Sequence, residues 1–193
     1  MYSQSTGELP KGKCAEQVYR LAVYEAGHAL IARALNLRIL SVRMLPRPPV
    51  LISEKAFSSH NWESLLETLE IRVMELFGGQ IAEEITCKSN TCCSGDVARI
   101  DELARLIAGI GDERSPDEIW FDLEDAAREI FAQKGCSDAI IPIADFLYER
   151  MTTSRELVDG KDIEALMAEI LPQPVKPGRL KGVFGFGKTK TKA

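Results

Sequence analysis

The chain has 193 residues, of which 45% are hydrophobic, so it is long enough for one domain with a sizeable core. The net charge is −5, and residues 171–193 contain six basic residues and no acid, which leaves the rest of the chain strongly acidic. An acidic body argues against a nucleic-acid enzyme, and no apolar run reaches the roughly 18 residues that cross a bilayer.

The two ends differ from the middle of the chain in composition. Residues 1–13 are polar, and we expect a loose N-terminal segment there. Residues 171–193 are rich in Pro, Gly and Lys, which is typical of a disordered basic tail, although such a tail could also bind RNA, an anionic surface or an acidic partner. The folded domain is therefore expected over residues 14–170.

The cysteine pattern predicts a reducing compartment. The chain has five cysteines, an odd number, and no secretory leader opens it. We therefore expect reduced thiols and a cytoplasmic protein. The spacing contains neither Cys-x-x-Cys nor a paired Cys/His framework, which argues against a structural zinc ribbon.

Hydrophobic periodicity predicts a mainly α fold with one small β-sheet. The predicted elements are a helix over 14–36, strands over 38–46 and 50–57, a long helix over 62–87, and helices from Asp96, over 116–133, up to about Thr152 and over 161–170. Gly78-Gly79 interrupts the long helical pattern, either as a break or as a tight helix crossing. We expect an open sheet edge, where the strand at 39–46 either binds an extended peptide or only covers the core.

The strongest chemical signal is the segment at residues 24–29, Tyr-Glu-Ala-Gly-His-Ala. In the zinc-peptidase pattern His-Glu-x-x-His, two histidines one helical turn apart hold the metal and the Glu acts on its water. Glu25 and His28 are in place, but Tyr24 stands at the first His position. Catalytic zinc needs three protein ligands, and Asp96 is the best further candidate, with an ordinary helix N-terminal role as its alternative.

Five segments occur in the same order as in the peptidase domain of FtsH-type ATP-dependent zinc peptidases and resemble it. They are residues 24–29, 41–47, 78–85, 94–105 and 157–163. The resemblance implies an FtsH-like zinc peptidase fold, a zinc ion held by His28 and Asp96, Glu25 as the general base, and unfolded polypeptide as the substrate. Glu83 or Glu84 would at most support the ligands. A Walker A motif is missing from the sequence, so a separate AAA ATPase is the implied partner, and an oligomer is possible.

Tyr24 is the departure from the family that decides the chemistry. A phenol has a pKa of about 10 and must lose its proton to bind zinc well, and its oxygen reaches roughly 2 Å further than an imidazole nitrogen. We expect zinc to bind weakly or not at all, unless Tyr24 itself, Cys92 or Cys93 completes the site. His60 is expected to face solvent. Two functions stay open: a zinc metallopeptidase with a weakened or altered metal site, and an inactive pseudopeptidase that binds peptides or regulates.

Overall fold

The computed structural model describes residues 12–43, 49–54, 59–91, 94–153 and 157–172. The predictions for the start of the chain, for Cys92 and Cys93 and for most of the basic tail lie outside these ranges. Residues 12 and 13, which were predicted to be loose, lie in a 3₁₀ turn, Gly12–Ala15.

The described residues form a mainly helical fold with a small antiparallel sheet, as the periodicity predicts. In chain order the elements are α1 (Gln17–Ala34), β1 (Ile39–Arg43), β2 (Val50–Ser53), α2 (Trp62–Cys87), α3 (Ser94–Gly109), α4 (Pro116–Ala132), α5 (Ile140–Thr153), β3 (Val158–Asp159) and α6 (Gly160–Ile170). Among these helices, none is long and apolar enough to cross a membrane.

α1 is the central helix of the core. It is buried continuously over residues 21–32 and packs mainly against α2 and α5. A Cβ on Gly27 would lie 2.1 Å from the carbonyl oxygen of Gly78, so the two helices cross with their backbones in contact. α2 runs unbroken through Gly78-Gly79, and the tight-crossing alternative is therefore the one that the fold uses.

The sheet has the strand order β2-β1-β3, with both pairs antiparallel. β1 pairs with β2 on one side, and its residues Ser41 and Val42 pair with β3 on the other. β1 thus has a partner on both sides, which argues against peptide binding at the described part of the strand at 39–46 and favours the alternative in which this strand only covers the core. The open edge that the described residues leave beside α1 belongs to β2.

A disulfide between Cys14 and Cys87 ties the 3₁₀ turn to the C-terminal end of α2. The expectation that the cysteines are all reduced is therefore wrong for this pair. The two residues lie 73 positions apart in the sequence, and only the packing of α1 on α2 brings their Cα atoms to 5.5 Å, which is within disulfide range. Cys136, in contrast, is a buried free thiol.

Candidate functional site

The four residues predicted to form the site lie together in one cleft. α1 contributes Tyr24, Glu25 and His28, and the first turn of α3 contributes Asp96. The cleft has a volume of about 490 Å³, and residues of β2 and α2 complete its walls. Two segments that are distant in the sequence therefore close around one pocket.

His28 is held through both ring nitrogens. Its Nδ1–H donates to the main-chain carbonyl of Glu75 at 2.6 Å, and its Nε2 lies 3.4 Å from Oδ2 of Asp96. Two ligands of a tetrahedral zinc ion, each at about 2.0–2.1 Å, lie roughly 3.3 Å apart. The spacing between the His28 nitrogen and the Asp96 oxygen thus matches that of two ligands of one zinc ion.

The hydroxyl of Tyr24 uses the same carboxylate oxygen. It donates a hydrogen bond to Oδ2 of Asp96 at 2.7 Å, a distance typical of a hydroxyl bonded to a carboxylate and short for two ligands of one zinc ion. The tyrosine ring packs edge-on against the His28 ring, with the ring centroids 4.8 Å apart. Tyr24 is therefore built into the site as a hydrogen-bond donor.

These side chains do not complete the zinc site that the resemblance implies. Within the described ranges, no group of three or more His, Cys, Asp or Glu side chains could hold a metal ion. His28 and Asp96 have the spacing of two ligands, but the hydroxyl of Tyr24 donates a hydrogen bond to Asp96. Cys92 and Cys93, the other candidates for a third ligand, lie outside the described residues.

Glu25 lies at the floor of the cleft and is 1% exposed. The backbone N–H of Leu51 in β2 donates to its carboxylate, while its Oε2 has no hydrogen-bond partner among the described residues. Burial raises the pKa of Glu25 to about 7, against the opposing charge of His28. A carboxyl group with this pKa can take up and release a proton near neutral pH.

His28 and Asp96 form an ion pair at neutral pH. Burial alone would lower the pKa of His28, but the hydrogen bond to Asp96 and the charges of Glu25 and Asp96 raise it to about 9. Burial acts to raise the pKa of Asp96, yet the hydrogen bonds from His28 and Tyr24 hold it below its ordinary value. A protonated imidazole has no lone pair for a metal, so zinc would have to displace this proton.

A charged pair behind His28 was missed by the sequence analysis. Nη1 of Arg72 donates to Oε2 of Glu75 at 2.7 Å, and the 1% exposed carboxylate of Glu75 also accepts from the hydroxyl of Ser53. Through Ser53, the pair joins α2 to β2, next to the point where His28 bonds the main chain of Glu75. The sequence carried a signal for this pair, because opposite charges three residues apart inside an apolar helical stretch indicate an ion pair.

Glu83 and Glu84 lie outside the lining of the cleft. The fully buried carboxylate of Glu83 accepts from the hydroxyl of Thr91 at 3.0 Å and from its backbone N–H at 3.3 Å. Glu83 thereby fixes the loop that leads to Asp96. Glu84 pairs with Arg128 of α4 at 2.9 Å. His60 is exposed, as the sequence predicts.

The cleft thus combines a buried carboxyl group, an imidazolium–carboxylate pair and a tyrosine hydroxyl at the place where a zinc peptidase has its first histidine. What such a site does has to follow from its own chemistry. No protein-family model matches this chain, and no curated protein matches it either.

Proposed function

We propose that this chain is an inactive relative of FtsH-type zinc peptidases, a pseudopeptidase that binds unfolded polypeptide in its cleft. The hydrogen bond of 2.7 Å from Tyr24 to Asp96 carries the proposal. It engages Oδ2, the oxygen of Asp96 that faces His28, and the charges of His28 and Asp96 compensate each other. Such a network is stable without an ion, because every charged group in it has a partner of opposite charge or a hydrogen-bond donor.

The position of β2 supports polypeptide binding. Pro49, Val50 and Leu51 line the cleft, and β2 is the end strand of the sheet. In the part of the chain that the structure describes, no strand pairs with its outer edge. An extended chain can pair with such an edge through backbone hydrogen bonds, and this mode of binding needs no metal. A separate AAA ATPase is the partner that would supply an unfolded chain.

A second function, a zinc metallopeptidase with a weakened site, is favoured by one observation. The separation of 3.4 Å between His28 and Asp96 is that of two zinc ligands, and the carboxyl group of Glu25 lies in the same cleft. In this alternative a ligand from outside the described residues completes the site, and the substrate is the same unfolded polypeptide.

The two functions are separated by measuring zinc content, casein cleavage and casein binding in parallel. We expect the purified chain to bind fluorescently labelled unfolded casein equally well with and without chelator, to contain far less than one zinc per chain, and to cleave nothing. Tyr24→His supplies the missing ligand type and should increase zinc affinity by about 10-fold or more. Tyr24→Phe is the matched control, because it removes the hydroxyl without adding a ligand and should gain no zinc.

Two results would contradict the pseudopeptidase proposal. One zinc per unmodified chain together with chelator-sensitive cleavage of casein would establish the metallopeptidase and end the pseudopeptidase proposal. Failure of the unmodified chain to bind unfolded casein would also end it.

A further inference from the structure

Two of the acids that line the cleft are buried, whereas its two arginines are more exposed. The side chains of Glu25 and Glu75 are each 1% exposed. The side chain of Arg72 is 31% exposed, and Arg99 is an exposed residue. The two arginines line the same cleft from α2 and α3. An incoming ligand therefore meets guanidinium groups before it reaches the buried acids.

The acids that could neutralise these arginines are already engaged. Asp96 accepts a hydrogen bond from Tyr24 and forms an ion pair with His28. Glu75 accepts hydrogen bonds from Ser53 and from one nitrogen of Arg72. The contact with Glu75 fixes the guanidinium of Arg72, whose charge also acts on Glu25 and Asp96 across the cleft.

Arg99 differs from Arg72 in that it has no partner among the described residues. Within the described part of the chain, it forms no hydrogen bond or ion pair, although it lies one helical turn after Asp96 in α3. An exposed arginine that has no partner among the described residues, in the same cleft as a second arginine that is held in place, is a suitable site for an anion. Guanidinium groups bind carboxylates through parallel charge-assisted hydrogen bonds.

We infer that Arg72 and Arg99 recognise a carboxylate of the polypeptide that pairs with β2, so that the preferred ligand is an acidic unfolded chain. This inference rests on the proposed polypeptide-binding function and specifies its ligand. The carboxylate belongs either to an Asp or Glu side chain or to the C-terminus of the bound chain.

The test uses fluorescein-labelled peptides that differ only in Glu or Gln at their central positions, each made with a free and with an amidated C-terminus. Dissociation constants are measured by fluorescence anisotropy at low salt. We expect the Glu peptide to bind the unmodified chain about 10-fold more tightly than the Gln peptide. A preference for Glu in both C-terminal forms assigns a side-chain carboxylate, and a preference only for the free C-terminus assigns the terminal one.

Substitutions of Arg99 test whether this residue recognises the carboxylate. Arg99→Gln should remove most of the preference for the carboxylate and Arg99→Glu should reverse it, and both should keep the fold because the residue is exposed. Arg105→Gln is the matched control: Arg105 lies on the same helix with its side chain 68% exposed, pairs with Asp101 at 3.0 Å, and does not line the cleft. It should keep the preference unchanged.

Two kinds of failure can be told apart. Equal affinity of the unmodified chain for all four peptides, or an undiminished preference for the carboxylate in Arg99→Glu, would overturn this inference and leave polypeptide binding intact. Absence of binding to every peptide would overturn the proposed function and this inference together.

Discussion

At the scale of single residues, Tyr24 and Gly79 form a matched pair. A Cβ on Gly79 would lie 2.6 Å from the ring of Tyr24, so the ring fits only because α2 has no side chain at this point. The aromatic ring thereby reaches far enough across α2 to place its hydroxyl on Asp96. The hydrogen bond that carries the proposed function thus depends on a glycine that does not line the cleft.

We predict that Gly79→Ala destabilises the fold by about 1–3 kcal/mol, because the added methyl group overpacks the Tyr24 ring. Urea unfolding measures the loss. In a Tyr24→Ala background the same substitution should cost little, since the ring is then absent. Gly109→Ala is the control: its Cβ meets nothing within 4 Å, so it should be neutral or slightly stabilising. Equal stability of Gly79→Ala and the unmodified chain would contradict the packing described here.

The spacing of residues in the sequence was enough to predict the two α1 side chains, Glu25 and His28, that line the cleft. Glu25 and His28 were predicted from their place in a zinc-peptidase pattern, and they do lie beside Asp96. Arg72 and Glu75 could not be placed in the same way, because their role depends on which side of α2 faces β2. The bond from Tyr24 to Asp96 was also beyond the sequence, since it depends on the crossing of α1 and α2.

At the scale of elements, the disulfide fixes the short N-terminal turn on the end of α2. Cys14 is 9% exposed and Cys87 is 4% exposed, so the bond lies within the packed domain. It spans most of the first half of the chain and includes α1, β1 and β2 in the closed loop. In the chain-entropy view, such a cross-link stabilises the fold mainly by restricting the unfolded chain.

We predict that Cys14→Ser lowers the free energy of unfolding by up to about 4 kcal/mol, as expected for a loop of this length. The unmodified chain should lose a similar amount in dithiothreitol, while Cys14→Ser should not respond to the reductant. Cys136→Ala, which changes a free thiol, should keep the full response. Identical urea midpoints of the unmodified chain with and without dithiothreitol would show that the bond contributes no stability.

The elements were predicted better than their arrangement. Apolar periodicity placed the helices closely, since α2 has the predicted bounds and α4 ends one residue early. The order of the strands was missed because β3 has only two residues, too few to show an alternating pattern. Periodicity also says nothing about which strand lies in the middle of a sheet.

At the scale of the whole molecule, one arginine joins two helices and the turn between α3 and α4. Arg114 lies between α3 and α4 and pairs with Glu70 of α2, with Asp112 at 2.6 Å and with Asp122 of α4 at 3.2 Å. The side chain of Glu70 is 1% exposed and that of Asp112 is 9% exposed, so these pairs are largely shielded from solvent. The network connects the α3–α4 turn to the middle of α2.

We predict that Asp112→Asn destabilises the fold at neutral pH by about 1–2 kcal/mol, and much less at acid pH. The hydrogen bond from Arg114 holds the pKa of Asp112 below its ordinary value. Because the folded pKa is lower than the unfolded one, the ionised carboxylate stabilises the fold above roughly pH 4, and this contribution is lost as the pH falls through the lowered folded value.

Urea unfolding at a series of pH values measures this effect. Asp138→Asn is the control, since Asp138 is exposed and forms no ion pair within the described ranges. A cost of Asp112→Asn that stays constant down to pH 2 would contradict the assignment.

The pairing of β3 (Val158–Asp159) with β1 has a consequence for how the chain folds during its synthesis. A chain that leaves the ribosome from its N-terminus can pair β1 with β2 early, but it cannot cover the second side of β1 until all of α5 and then β3 have emerged. Until then an unpaired row of backbone groups on β1 is exposed to other nascent chains, which makes a stalled intermediate prone to aggregate. Completion of the sheet is thus a late step in folding, set by the order of the elements alone.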